Sequence, residues 1–359
     1  MARPAPLVIR VEPKVPARIE KDENELDITD LDPNLVLIDP KRPKEERRKR
    51  RHVGWSGALI GLLCAIGGLA LGRAGHIWPV FDVFAQFGMQ FVLMAASFSL
   101  AVALPRLKST FGLLFFVLSL IGYGLWPLIV SDQPVSQEFN LPAGERPLKV
   151  AHFNMFYVND DLDGLTQEIE RLDADIMTLI EFSPNKRPIL DRLRIAYPYQ
   201  FSCDQEPECH LAIISKYPIS SPEAKGRWEG PPYIQARFAT LGGLTVLGVH
   251  TTRFPHSRAQ LRQVTALVQN LQTERGSVIM MGDFNATPFS RVVSTIEGGA
   301  GLVRQTSLPT WPTGYVLPQL AIDHIFTSQN IRSLTPEVVG NPTGSDHFPI
   351  AMTLAIPDK

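Results

Sequence analysis

Three long uncharged runs interrupt the first third of the chain, at residues 54–71, 83–104 and 110–130. Each is close to the ~20 apolar residues that cross a hydrocarbon core of ~30 Å at ~1.5 Å rise per residue. The pattern predicts three membrane-spanning helices joined by connections at 73–82 and 105–109. A buried helical core is the alternative, and three runs this long with so little charge favour the membrane. From residue 148 the period changes. Strand-type apolar runs at 148–156, 175–182, 210–215, 233–241, 244–251, 277–281, 321–327 and 350–355 are interspersed with helical spacing at 162–172, 186–195, 257–273 and 290–296. Strands mixed with helices over about 210 residues predict a layered α/β or α+β domain with one core.

Charge placement divides the chain further. Residues 1–53 hold 13 Lys+Arg, 11 Asp+Glu and seven Pro without an aromatic, whereas 54–130 carry only Arg73, Asp82, Arg106 and Lys108. The tail has too little apolar surface to fold alone and is expected to be disordered, with its basic run near anionic headgroups. Residues 131–147 are a linker, and 148–359 form the soluble domain. A wholly soluble cytosolic protein is thereby excluded. Lys41 to Arg51 carry eight basic residues, and Arg106 and Lys108 lie between the second and third runs. Basic residues stay on the cytoplasmic side. Three spans then place the N-terminus in the cytoplasm and the soluble domain outside it, in the periplasm if the membrane is an inner one. Cleavage after the first run, at the small-residue triplet Ala70-Leu71-Gly72, is the alternative, although a tail of about 50 residues is long for a signal peptide. Gly68-x-x-x-Gly72 suits close helix packing. Asp82 sits near a span end, where it is expected to reach water. With three cysteines in 359 residues, a disulfide scaffold is excluded. Cys64 lies in an apolar run. Cys203 and Cys209 flank a polar loop and are either free thiols or, in an oxidising compartment, a disulfide.

Several strand-type runs end in an acid, amide or imidazole: Asn154, Glu181, His250, Asp283 with Asn285, and Asp323 with His324, while Asp346 and His347 precede the last strand. An ionisable group at the end of a buried strand is costly unless paired or bound to metal, so this repetition predicts one convergent site at a common sheet edge.

The segments Gly282-Asp283-Phe284-Asn285-Ala286-Thr287-Pro288, Ile322-Asp323-His324-Ile325-Phe326 and Ser345-Asp346-His347-Phe348-Pro349 resemble the motifs of the endonuclease/exonuclease/phosphatase superfamily, with Asn154, Glu181 and His250 upstream in the same order. The resemblance spans residues 148–356. It implies a four-layer sandwich of two mixed β-sheets flanked by helices, here preceded by the three membrane helices, and Mg²⁺- or Mn²⁺-dependent hydrolysis of a phosphoester. It implies Glu181 and Asp346 as metal ligands. Asp283 would position or deprotonate the attacking water. Asn154, Asn285 and His250 would contact phosphate oxygens, and His347 would act with Asp323 behind it. His324 alternates to the other strand face and is expected to be structural, as is His152. Arg258 and Arg262 share a helix face, where exposed surface is the simpler account.

The expected partners are the bilayer and a phosphoester substrate: nucleic acid, phospholipid or a small phosphodiester. No obligate protein partner follows. The soluble part, residues 131–359, carries a formal charge of −5, which disfavours backbone tracking of nucleic acid. A catalytically silent scaffold and a transporter or sensor built on Asp82, Gln86 and Gln90 are the competing classes. The first would be marked by loss of a ligand residue, and all of them are present.

Overall fold

Val150 faces one side of its strand and Ala151 the other, and both are fully buried. The same holds for Ile176 and Met177, Val246 and Leu247, and Ile279 and Met280. Strands apolar on both faces need cover on both faces, and this dictates the layering found in the computed structural model. It describes residues 42–104, 109–131, 139, 141–203, 205–274, 276–314 and 317–358. The expected disordered tail falls mostly outside these, as do 105–108 and 132–138.

One sheet contains β1 (Glu145–Asn154), β2 (Ile176–Ile180), β3 (Tyr199–Ser202), β4 (Leu211–Ser215), β11 (Arg332–Ser333), β12 (Val338–Val339) and β13 (Ile350–Pro357). Its order is β11-β13-β1-β2-β4-β3, with β12 also on β13. The second contains β5 (Ser221–Lys225), β6 (Tyr233–Phe238), β7 (Leu244–His250), β8 (Val278–Asp283), β9 (Leu302–Arg304) and β10 (Asp323–Ser328), in the order β5-β6-β7-β8-β10-β9. Each sheet has one parallel pair, β1/β2 and β7/β8, and is otherwise antiparallel.

The parallel pairs are bridged by α5 (Leu162–Leu172) and α7 (Ser257–Leu271), as parallel pairing requires a crossover. Asp161 caps α5 by accepting from Gly164 N at 2.9 Å. Leu148, Val150, Ile213, Val246, Ile279 and Met352 pack between the sheets. Leu165 and Ile169 of α5 cover the outside of the first sheet, joined by Ile189 of α6 (Arg187–Arg192). Val264 and Leu267 of α7 cover the second, with Val292 and Ile296 of α8 (Arg291–Ala300). This is the expected sandwich of two mixed sheets between helices. The strands β3 and β5 have no counterpart in the apolar pattern, because both lie at sheet edges and carry mostly polar side chains.

Ahead of the sandwich stand α1 (Arg42–Ala74), α2 (Asp82–Ala85), α3 (Gly88–Ala103) and α4 (Ser109–Ser131). Helix α1 begins at Arg42, so part of the tail expected to be disordered is helical. Among the described residues, two stretches are long and apolar enough to cross a membrane, Trp55–Ala74 and Ser109–Ser131. A third is a bent pair, Pro79–Ala85 with Gly88–Ala103, broken by 56°. The expected continuous second span is therefore interrupted. Gly68 and Gly72 both face this pair: a Cβ on Gly68 would collide with the Phe91 ring, and one on Gly72 would lie 3.1 Å from the Ala85 nitrogen.

The break coincides with polar contacts to the sandwich. Gln86 Oε1 accepts from Thr287 N at 2.8 Å, and the Ala85 carbonyl accepts from Thr287 Oγ1 at 3.0 Å. Asp82 is not at a water-facing end. It is 3% exposed, and its carboxylate accepts from Ser290 Oγ at 2.6 Å and Arg291 N at 2.7 Å. At the far end of α4, Ser131 Oγ accepts from Val339 N at 2.7 Å.

Candidate active site

Parallel strands deliver their C-terminal ends to one edge. In the β7/β8 register His250 stands opposite Asp283, and in the antiparallel β8/β10 register Asp283 stands opposite Asp323. A side chain on Gly282 would collide with the Val249 carbonyl, so glycine lets β8 close against β7 here. Asn154 ends β1, and Glu181 directly follows β2. Phe156, Glu181 and Asn285 all have left-handed backbone, with φ of 57°, 54° and 47°. Asn tolerates this well, but Phe and Glu do not. Such strain clusters where surrounding structure must hold a side chain in place.

Asp283 is the hub. It is buried, and Asn154 Nδ2 donates to its Oδ2 at 3.1 Å. Asn285 donates to it twice, from its backbone N at 2.8 Å and from Nδ2 at 3.2 Å. His250 Nε2 and His347 Nε2 each lie 3.7 Å from Asp283 Oδ2. Burial pushes the Asp283 carboxyl up to about 7, a rise that His347 opposes and Asp323 reinforces. Partial burial lowers the His250 pKa, against the pull of Glu181.

Behind Asp283 lies a dyad. His347 Nδ1 and Asp323 Oδ2 are 2.8 Å apart. Burial alone would lower the His347 pKa, but the Asp323 and Asp283 carboxylates prevail and raise it to about 10. Burial likewise works against the Asp323 anion. His347 and His152 outweigh it and hold the carboxyl far below its usual range. The Asp346–His347 loop is tied to β1: Ser345 Oγ donates to the Asn154 carbonyl at 2.7 Å and accepts from His347 N at 3.0 Å.

Glu181, His250, Asp283, Asn285, Asp346 and His347 line one pocket of about 600 Å³. Residues 151–347, more than half of the chain, match the model of the Endonuclease/Exonuclease/phosphatase family. The chain belongs to that family. No curated protein matches it. Solved structures with a similar fold include an endonuclease/exonuclease/phosphatase family protein of Bacteroides thetaiotaomicron (15% identity, TM-score 0.49, covering 59% of this chain and 98% of that one). A mannosyl-6-phosphatase of the same organism is 17% identical, with a TM-score of 0.47 and coverage of 58% and 99%. Sphingomyelinase C of Streptomyces griseocarneus is 14% identical, with a TM-score of 0.44 and coverage of 59% and 99%.

The endonuclease/exonuclease/phosphatase domain thus gathers Asn154, Glu181, His250, Asp283, Asn285, Asp323, Asp346 and His347 at one edge. His324 lies apart from the pocket, buried, with Nε2 2.8 Å from the Ala286 carbonyl and its pKa lowered to about 4 by that burial. Arg258 and Arg262 are exposed and do not line the pocket. Cys203 and Cys209 are joined as a disulfide.

Four contributors escaped the motif reading. His152, expected to be merely structural, places Nε2 2.9 Å from Asp323 Oδ1. Thr310 Oγ1 donates to Asp323 Oδ2 at 2.5 Å. Gln260, buried on α7, donates to the Phe284 and Asn285 carbonyls at 2.9 and 3.0 Å. Trp311 Nε1 donates to Asp346 Oδ2 at 3.1 Å. His152 sits mid-strand in an apolar run, and that buried imidazole was the one signal available in the sequence.

A divalent cation fits the donors present. Asp283, Asp323 and His347 lie close enough to share an ion. However, Asp323 already serves His152, Thr310 and His347, and His347 Nδ1 is engaged by Asp323. Glu181 is freer. Its Oε2 accepts from Tyr157 N at 2.6 Å, while Oε1 has only a 3.4 Å contact with Asn154 Nδ2 and a 3.9 Å contact with His250. Three carboxylates, Glu181, Asp283 and Asp346, face one pocket in which Arg253 and the protonated His347 are the cationic lining residues. An oxygen-rich set with more carboxylates than cations suits a hard divalent cation.

Proposed function

We propose that this chain is a membrane-anchored, divalent-metal-dependent phosphoester hydrolase whose site lies outside the cytoplasm. The observation that carries the reading is the seating of Asp283 between two asparagines and the His347–Asp323 dyad, in a pocket also lined by Glu181 and Asp346. Glu181 and Asp346 would hold the metal, which when bound withdraws charge from the phosphoryl oxygens. Asp283, oriented by Asn154 and Asn285, accepts the proton of the attacking water. Its carboxyl, pushed up to about 7, is matched to that task near neutrality. His347, kept protonated by Asp323, and His250 on the opposite wall donate to phosphoryl oxygens as charge develops on them. Arg253 at the pocket wall supplies a further phosphate contact.

Anchoring is supported by the span-length stretches Trp55–Ala74 and Ser109–Ser131 and by the bent pair between them. The basic segment from Lys41 to Arg51, ahead of the apolar stretch Trp55–Ala74, and the Cys203–Cys209 bond support the orientation. The test is hydrolysis of bis-p-nitrophenyl phosphate and p-nitrophenyl phosphate by the full chain in nanodiscs, with Mg²⁺ or Mn²⁺ and with chelator. Metal-dependent turnover that Asp283→Asn abolishes is expected. Turnover equal in wild type and variant sinks the reading. A reporter fused after Pro134 that works only in the cytoplasm should be silent.

A further inference from the structure

We infer that the helical block supplies part of the substrate site: a groove between α3, α4 and residues 311–312 and 317–320 holds a hydrocarbon chain attached to the phosphoester cleaved next door. The inference rests on the hydrolase reading above and names its substrate class, a phosphodiester with one long apolar arm.

The groove has a volume of about 500 Å³ and is walled by Phe87, Val117, Leu120, Ile121, Leu317 and Leu320. Its polar floor is small: Gln90 Nε2 donates to the Gln319 carbonyl at 2.7 Å and Gln319 Nε2 to the Leu120 carbonyl at 3.0 Å, while Gln90 Oε1 and Gln319 Oε1 are buried without a protein donor. An apolar space of this size with few polar groups is a ligand-type site.

Continuity with the reacting pocket selects the occupant. Trp311 lines both spaces. Its indole nitrogen bonds Asp346, its ring centroid is 6.5 Å from that of His347, and its backbone pairs with Leu320 in the groove wall. Across from it, Phe87 of the groove meets Phe254 of the active-site pocket edge to face, with centroids 6.2 Å apart. One ligand can therefore place a phosphate beside His347 and an attached chain beside Val117.

Depth agrees. Along α4 the apolar side chains of Leu118, Ile121, Leu125 and Trp126 remain exposed, as does Trp78 before α2. Exposed tryptophans mark the membrane–water boundary. Ile121 lies five residues before Trp126, about 7.5 Å along the axis and toward the middle of the span. The groove then opens at the level of lipid chains, and the reacting pocket at the level of headgroups.

The test uses the full chain in phosphatidylcholine nanodiscs with Mn²⁺ and p-nitrophenyl phosphodiesters carrying a methyl or an octyl group. The octyl-to-methyl ratio of kcat/KM should exceed about tenfold in wild type, since each buried methylene adds up to about fourfold. Val117→Trp and Ile121→Trp fill the groove at positions more than 40% exposed, which the fold tolerates, and should bring the ratio down toward that set by membrane partitioning alone. In parallel, an octyl phosphodiester with a terminal diazirine should label peptides containing 117–121 and 317–320, and Val117→Trp should suppress that labelling. An unchanged ratio in both variants, or labelling spread over all exposed helix faces, overturns the groove. If instead neither diester is cleaved, or Asp283→Asn cleaves the methyl diester as well as wild type does, the hydrolase reading fails, and the labelling pattern still reports separately on the groove.

Discussion

The helical block and the sandwich place polar side chains at the ends of apolar elements, to opposite effect. In the sandwich, Asn154, Glu181, His250 and Asp283 end strands and turn toward one another, leaving a pocket between them. In the block, Asp82, at the start of an apolar run, and Gln86 and Gln90 within it turn toward the sandwich, where Ser290, Arg291, Thr287 and Gln319 pair with them. A buried polar group must find a partner. Partners within the same edge produce a reactive centre, and partners in another layer produce a dock. Moreover, the two sets are only a few residues apart along one segment: Asp283 and Asn285 belong to the site, and Thr287 and Ser290 belong to the dock.

Breaking the site should cost most. Asp283→Asn keeps the shape and removes the proton acceptor, so kcat should fall by about 10³-fold or more with the folded structure unchanged, as read by hydrolysis of bis-p-nitrophenyl phosphate and by circular dichroism. Retained activity would remove Asp283 from the mechanism. Asp323→Asn withdraws the anion facing both His152 and His347. Activity should drop by about 10²-fold, and the alkaline limb of the pH–rate profile should move to lower pH, because His347 loses the group that holds its proton. An unmoved limb would show that the dyad does not set the His347 charge.

Breaking the dock should act on stability. Asp82→Ala leaves Ser290 Oγ and Arg291 N without their acceptor, at a cost of about 1–3 kcal/mol. Thermal unfolding in detergent and faster proteolysis near residue 290 would register it, and Asp82→Asn should recover part of the loss. No change in either would mean the contact is not a dock.

A smaller, pH-dependent effect isolates burial from catalysis. Glu337, which accepts from Ser307 N and Leu308 N, is pushed up to about 8 by burial. Its folded value lies above its unfolded one, so the stability it contributes is complete below about 4.5 and is lost as pH rises through about 8. Wild type should therefore weaken relative to Glu337→Gln between those limits, and a gap in melting temperature that ignores pH would refute this. Smallest of all, Arg258→Ala and Arg262→Ala, on an exposed face away from the pocket, should change hydrolysis by less than about twofold.

The sequence by itself determined the layers and which polar strand-end residues meet at one edge. Strands apolar at consecutive positions demand cover on two faces, and a polar residue at each strand end must converge with the others or remain uncompensated. Only the tertiary structure decided the pairings. His152 and Asp323 are 171 residues apart, and no local period relates them. Asp82 was legible as a polar residue at a span end but not as the acceptor for Ser290, because its partner arrives from another layer. The polar edge strand β5 and the break before α3 escaped for the same reason. Hydrophobic periodicity encodes which face of an element is covered, whereas a hydrogen bond depends on which atom of a distant segment comes within 3 Å, and that is fixed only once the layers have met.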